Sequence, residues 1–239
     1  MTLTAALLGP LLSGAAAARP LITFYDDATG ERVELSATTT ANWAAKAANL
    51  LREECDVEPG TPVAVLLPAH WQTAAVLLAA WWCGATVTEP AEAEWVLCDA
   101  ERVDLALGVE PAGGVVALSL DAFGAGVPGL PAGVVDFATE VRLQGDEFVP
   151  WSPVPENAPA LAGATVGEVL ACARARAGEL GISRGDRVLS TLDWSTGDGL
   201  RDGLLAVLAA EASLVQVRHP DEEAMGRRAA TERTTVRLA

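Results

Sequence analysis

At 239 residues the chain is long enough to bury a sizeable core, as one large domain or two lobes. Its 32 acidic residues against 16 basic ones give a formal net charge of −16, a field that repels nucleic-acid phosphates and anionic lipid and excludes both as partners. The same field opposes a polyanionic nucleotide unless local arginines or helix N-termini compensate.

Residues 1–18 are apolar but carry no basic leader segment, and Gly9-Pro10 interrupts the run, so a first helix packed on the domain is expected rather than a signal peptide. No stretch of 18 strongly apolar, uncharged residues reads as a membrane span. Residues 21–25 and 32–35 flank Asp26-Asp27-Ala28-Thr29-Gly30 as a β-hairpin. Residues 36–40 then offer N-cap side chains for an amphipathic helix over 41–55, with Trp43, Ala47, Leu50 and Leu51 at helical spacing. A turn at 58–61 leads to a strand at 62–67, a helix apolar nearly all round at 69–83, and a strand at 85–88 after Gly84. A short strand or helix start follows at 92–98, a strand at 103–109 and an apolar run at 115–120. Glycine and proline crowd residues 121–159, where short strands are expected at 134–135 and 148–149. Beyond it come a helix at 166–180, a turn at 183–186, a strand at 188–192, an apolar helix at 199–210 and a strand at 213–217. A helix at 222–231 and a strand at 234–238 close the chain.

The pattern helix, turn, strand, helix, strand thus occurs twice. Gly60 aligns with Gly185 at an offset of 125 residues, and Pro90 with Pro220 at 130. Two such units imply a layered α/β/α protein with two similar βα halves and mixed sheets. The domain organisation read from this is a first α/β lobe over 1–120, a Gly/Pro-rich connection over 121–160 and a second α/β unit over 161–239 packed on the first.

The run Glu58-Pro59-Gly60-Thr61-Pro62-Val63-Ala64-Val65-Leu66-Leu67-Pro68 resembles the helix-turn-strand segment near the start of adenylate-forming enzymes, the AMP-dependent synthetases and ligases such as acyl-CoA synthetases. Residues 74–87, with Gly84-Ala85 after a buried helix, are similar to the segment that follows. Residues 179–189, Glu-Leu-Gly-Ile-Ser-Arg-Gly-Asp-Arg-Val-Leu, resemble a later stretch of the same large domain. The resemblance implies that domain's fold, in a short actinobacterial-type relative. It also demands a Ser/Thr/Gly-rich phosphate loop ending in Pro-Lys-Gly ahead of the second-copy helix, where backbone N–H groups and a lysine would cradle ATP. Residues 157–167 stand there instead, Asn-Ala-Pro-Ala-Leu-Ala-Gly-Ala-Thr-Val-Gly, with no lysine. The sequence ends before the family's later nucleotide-binding aspartate and its small domain with a catalytic lysine, and Lys46, the one lysine, matches neither. No autonomous adenylation, no catalytic residue and no cofactor are therefore expected.

The candidate ligand-pocket residues sit on two strand-end loops, the places where open α/β sheets hold ligands. Pro68-Ala69-His70-Trp71 follows the first-copy strand, and Asp193-Trp194-Ser195-Thr196-Gly197-Asp198-Gly199 the second. In the resembled family the second loop contributes to the acid-substrate pocket. Trp194 would wall that pocket while Asp193 and Ser195 orient a ligand. The competing reading makes His70 and Trp71 a helix start, and Asp193, Ser195 and Asp198 cap and turn chemistry. Ser195 and His70 lack the G-x-S-x-G elbow of a hydrolase. The literal G-x-G-x-x-G at 124–129 is read as a loop, because Pro128 and Pro131 fall where a dinucleotide-binding helix would run. Two histidines, His70 and His219, lie 149 residues apart with no ligand spacing, so no metal is expected. Cys55, Cys83, Cys98 and Cys172 are scattered and fit reduced, mostly buried thiols in the cytoplasm. The functional expectation is a degenerate, non-catalytic relative that binds a small acyl or carboxylate ligand. The alternatives are a protein-interaction or self-assembling domain forming a homo-oligomer, or a subunit completed by a separate protein partner.

Overall fold

A computed structural model describes residues 1–122, 124–195 and 197–239 of the protein. It opens with helix α1 (Leu3–Leu8), which stops at Gly9-Pro10 and gives way to short 3-10 turns, so the expected first helix spans a third of residues 1–18. Strands β1 (Pro20–Asp26) and β2 (Glu31–Ser36) form the expected hairpin. Helix α2 (Ala37–Glu53) begins four residues before the apolar periodicity does, because the Ser36 hydroxyl accepts the Thr39 N–H at 3.1 Å and caps it. Strand β3 (Pro62–Leu66), helix α3 (Trp71–Cys83) and strand β4 (Thr86–Val87) complete the first copy of the repeated pattern.

Strand β5 (Trp95–Asp99), helix α4 (Val103–Gly108) and strand β6 (Gly114–Leu118) follow. The strand expected at 103–109 is thus a helix. The Asp99 carboxylate accepts the Arg102 N–H at 3.1 Å and starts a turn that runs into α4, while Val103 and Ala106, three apart, are buried and Leu105 and Leu107 face water. A short segment of mixed leucine and alanine satisfies both periods, and the aspartate cap decides between them. The Gly/Pro-rich region holds β7 (Val135–Asp136) and a short helix α5 (Phe137–Glu140), started by Asp136 accepting the Thr139 N–H; residues 148–149 form no strand. Strands β8 (Pro159–Leu161) and β9 (Ala164–Thr165) make a hairpin.

The second copy comprises helix α6 (Val166–Glu179), strand β10 (Arg187–Ser190), a helix of three parts and strand β11 (Ser213–Arg218). The three parts are α7 (Gly197–Leu200), a π-helical turn (Arg201–Leu205) and α8 (Ala206–Ala209). Helix α9 (Glu222–Glu232) and strand β12 (Val236–Leu238) end the fold. Both copies turn from helix to strand through a glycine in the left-handed region, Gly60 at φ +93° and Gly185 at φ +84°. There a side chain would strain the backbone.

The chain forms two mixed sheets. One has the order β7-β6-β5-β3-β4-β8-β9 and is parallel except for β9; the other has the order β12-β10-β11-β1-β2 and is parallel except for β2. Two compact units divide the chain. The first gathers Met1–Ala5, Asn42–Leu67 and Ala75–Val169 around the seven-stranded sheet; the second gathers Ala6–Ala41, Pro68–Ala74 and Leu170–Ala239 around the five-stranded one. In the first unit Ala64, Val96, Cys98, Val115 and Ala117 pack with Val103 and Ala106 of α4. In the second, Leu189, Val215 and Val217 pack against Met225 of α9. Helix α9 is also held by charge. Glu232, 8% exposed, meets Tyr25, Arg187 and Arg32, and although burial pushes its carboxyl up, those hydrogen bonds draw it down to about 2.

Candidate functional site

The two loops singled out in the sequence meet within the second unit. Asp193, in the loop after β10, accepts the backbone N–H of Ala69 at 3.2 Å, that of Trp194 at 2.8 Å and the Ser195 hydroxyl at 2.7 Å. Burial pushes its carboxyl up, but these hydrogen bonds outweigh it and hold the group below the usual aspartate range. The carboxylate is therefore engaged in joining the loops. Ser195 is exposed, its hydroxyl turned to Asp193. Asp198 is turned to solvent and pairs with Arg201 at 3.0 Å. Thr196 lies outside the described residues.

Trp194 is 5% exposed, and its indole N–H has no hydrogen-bond partner among the described residues. Room for the ring comes from Gly203, in the π-helical turn. A Cβ there would lie 2.9 Å from Trp194 Nε1 and 3.3 Å from Leu192 Cβ. The turn is pinned through Asp202, which receives two hydrogen bonds from Arg176 of α6, at 3.0 and 2.7 Å, and one from Arg201 at 3.0 Å. One-turn π-helices concentrate at functional positions because they re-aim side chains inside an otherwise regular helix. Gln216, on β11 and 1% exposed, donates Nε2–H to the Leu192 carbonyl at 3.0 Å, while its Oε1 has no partner among the described residues.

His70 is 1% exposed. Its Nδ1 accepts the Gln72 N–H at 3.1 Å, capping α3, so a neutral ring carries its proton on Nε2. That nitrogen lies 3.8 Å from Glu31 Oε1, beyond hydrogen-bond range, and neither atom has another partner among the described residues. Burial pushes the imidazole pKa down and prevails over Glu31, which pulls it up. Phe24 meets the ring edge-on at a 4.3 Å centroid distance, and Trp71, 6% exposed, lies at 5.6 Å. His219, by contrast, is half-exposed. It adopts a left-handed backbone at φ +48° and bonds the buried Asp26 carboxylate through Nδ1 at 2.9 Å.

The loops and both tryptophans were legible as candidates in the sequence. Gly203, Gln216 and the Glu31–His70 and Asp26–His219 pairings were not. A glycine interrupting an apolar helix was the available signal for Gly203; nothing local marks a partner on another strand. Among the described residues no group of three or more His, Cys, Asp or Glu side chains could hold a metal ion, and no helix is long and apolar enough to cross a membrane. Cys55, Cys83 and Cys98 are buried, burial pushing each thiol up to about 12, and Cys172 is exposed.

This arrangement of two mixed sheets with strand-end loops is the fold of the adenylate-forming enzymes. The chain superposes on Brucella canis acyl-CoA synthetase with a TM-score of 0.80 at 17% identity, over 99% of this chain and 47% of that one. It superposes on acetoacetyl-CoA synthetase from Streptomyces lividans at 0.80 and 18%, over 100% and 42%. For the anthranilate CoA ligase AuaEII, solved in complex with anthranoyl-AMP, the values are 0.68 and 15%, over 90% and 44%. The chain thus spans less than half the length of these solved structures. In sequence it is 52% identical to a TIGR03089 family protein of Mycobacterium tuberculosis (strain ATCC 25618 / H37Rv), over 98% of this chain and 97% of that protein. The chain belongs to that TIGR03089 family. No family model matches it.

Proposed function

We propose that this protein is a non-catalytic relative of the adenylate-forming ligases that binds a small acyl or carboxylate ligand beside the loops at 67–70 and 191–195. The observation that carries this is the Trp194 indole N–H, buried and without a partner on a strand-end loop. An unsatisfied buried donor costs about 1–3 kcal/mol, a penalty removed when a ligand carbonyl or carboxylate oxygen accepts it. The π-helical turn and Gly203 shape the space around that ring, and Asp193 fixes both loops. A fold neighbour was solved with an acyl-adenylate, anthranoyl-AMP, bound.

Loss of catalysis is supported by what occupies residues 157–167. The β8–β9 hairpin reverses there through Ala162 and Gly163, at φ +48° and +82°, and the Ala160 carbonyl accepts the Trp81 indole N–H at 2.9 Å. A lysine-free two-residue turn offers little to a triphosphate, whose charge needs several donors and a cation. The three buried, protonated thiols favour a reducing, cytoplasmic setting.

The test is a thermal-shift and calorimetry panel of short-chain and aromatic carboxylates, with ATP–pyrophosphate exchange run alongside. At least one carboxylate raises the melting temperature, Trp194→Phe abolishes that rise, and no exchange is seen. Measurable exchange, or a carboxylate response untouched by Trp194→Phe, overturns the reading.

A further inference from the structure

A cavity lies in the first unit, built on α2. Three side chains on one face of that helix hold the strap of residues 144–149. Lys46 donates to the Gln144 carbonyl at 2.6 Å, Asn49 to those of Gly145 and Glu147 at 3.0 and 2.9 Å, and Arg52 to that of Val149 at 3.0 Å. The spacing i, i+3, i+6 brings these three to one stripe of the helix. The strap carries Phe148 and Trp151 to either side of Arg52, whose guanidinium lies 4.6 Å from the first ring and 4.8 Å from the second. Beside this stack is a cavity of about 160 Å³, floored by Cys83 and rimmed by Glu58 and Ser152.

Three features of the cavity call for an occupant of a definite kind. Arg52 spends three of its five N–H bonds, on Asn49, Val149 and an ion pair with Glu53 at 2.9 Å, which leaves two without a partner among the described residues. Glu58, which lines the cavity, is exposed, and its carboxylate makes no ion pair or hydrogen bond among the described residues. Trp151 is 73% exposed, a large aromatic face left to water. A simple anion is opposed by Glu58 and by the charge of −16 on the chain. A simple cation leaves the two unspent Arg52 N–H groups without an acceptor. A molecule carrying both charges, with an apolar or aromatic group to cover Trp151, satisfies all three features, and the volume admits one of amino-acid size.

We infer that this cavity binds a zwitterionic small molecule, a free α-amino acid with an aromatic or large aliphatic side chain. The carboxylate sits on the unspent Arg52 N–H groups, the ammonium on Glu58, and the side chain against Trp151. The site is independent of the Trp194 loop.

Calorimetry on the full chain with three probes that share a phenyl ring tests this: L-phenylalanine, phenylacetate and phenethylamine. Compared in the Trp194→Phe background, where the other loop no longer takes a carboxylate, phenylalanine binds at least about tenfold more tightly than either singly charged probe, since each of those leaves one group of the site unmatched. Trp151→Ala weakens phenylalanine about tenfold, and Glu58→Gln removes its advantage over phenylacetate. Both side chains are on the surface, so both variants keep the wild-type melting temperature; Trp194→Phe leaves phenylalanine binding unchanged. No heat with phenylalanine, equal affinity for the three probes, or indifference to Trp151→Ala and Glu58→Gln overturns the assignment. Loss of binding in Trp194→Phe alone overturns it too, and places the amino acid at the other site.

Discussion

The two copies of the repeated pattern diverge most in the helix that follows the first strand. In the first copy, α3 contains no glycine, runs as a regular helix, and buries every residue except Trp82. In the second copy the corresponding segment holds Gly197, Gly199 and Gly203 and breaks into α7, a π-helical turn and α8. Its arginine and two aspartates form ion pairs, and the loop before it encloses an indole whose N–H is unpaired. Regular packing in one copy and stored irregularity in the other separate a helix that stabilises from one that is shaped. Natural sequences depart from local consistency mainly where function asks for it.

That contrast can be broken most forcefully from the first copy. Trp81, 1% exposed, fills the core, and its N–H is satisfied by the Ala160 carbonyl. Trp81→Ala costs about 3–5 kcal/mol, read as a fall in the urea midpoint at constant slope. Trp194→Phe in the second copy costs under about 1 kcal/mol, because it removes an unpaired donor along with a little volume. Comparable losses at the two positions would erase the distinction.

Charge gives the next largest effect. Glu232 is drawn down to about 2 by its hydrogen bonds, below the unfolded value of 4.5, so its contribution is complete above pH 4.5 and lost as pH falls toward 2. Glu232→Gln costs up to about 3 kcal/mol at pH 7 and flattens the acid limb of the stability profile in that window. A medium effect belongs to Gly203→Ala, whose methyl group must displace the indole, for about 1–3 kcal/mol. Combining it with Trp194→Phe, which lacks the nitrogen nearest that methyl, recovers part of the loss in a double-mutant cycle. Strict additivity would show that the π-helical turn does not shape the tryptophan site.

His70 gives the smallest change. Its folded pKa lies below the unfolded 6.5, so the stability it contributes is present above pH 6.5 and declines as pH falls below it. His70→Asn keeps a capping acceptor for α3 and removes that slope below about pH 6.5. A slope that survives the substitution would assign it to groups other than His70.

The repeated pattern was readable because its punctuation is local. Gly60 and Gly185 mark equivalent turns, Ser36 caps α2, and Gly84 ends α3. Helix α4 was misread as a strand because its six residues fit both periods and the cap that decides lies outside them, at Asp99. The partition of the strands into two sheets was beyond reach, since β1 pairs with β11 across nearly two hundred residues. At the candidate site, residue types pointed to the loops at 70 and 193–198. Which atoms are spent, as in Asp193, and which are left over, as in Trp194 and Gln216, depends on distant backbone groups that no local pattern announces.

The borders of the two sheets bear on how copies of this molecule meet. Three of the four outermost strands are stubs, with β7 and β9 two residues long and β12 three. The fourth, β2, carries Arg32 and Glu34 along six residues, and these charges are tied to neighbours within the same molecule. Strands this brief or this charged are poor templates for adding a stranger's backbone. The protein therefore resists continuous cross-chain sheets and amyloid-like stacking, and any lasting association between copies must be made by side chains.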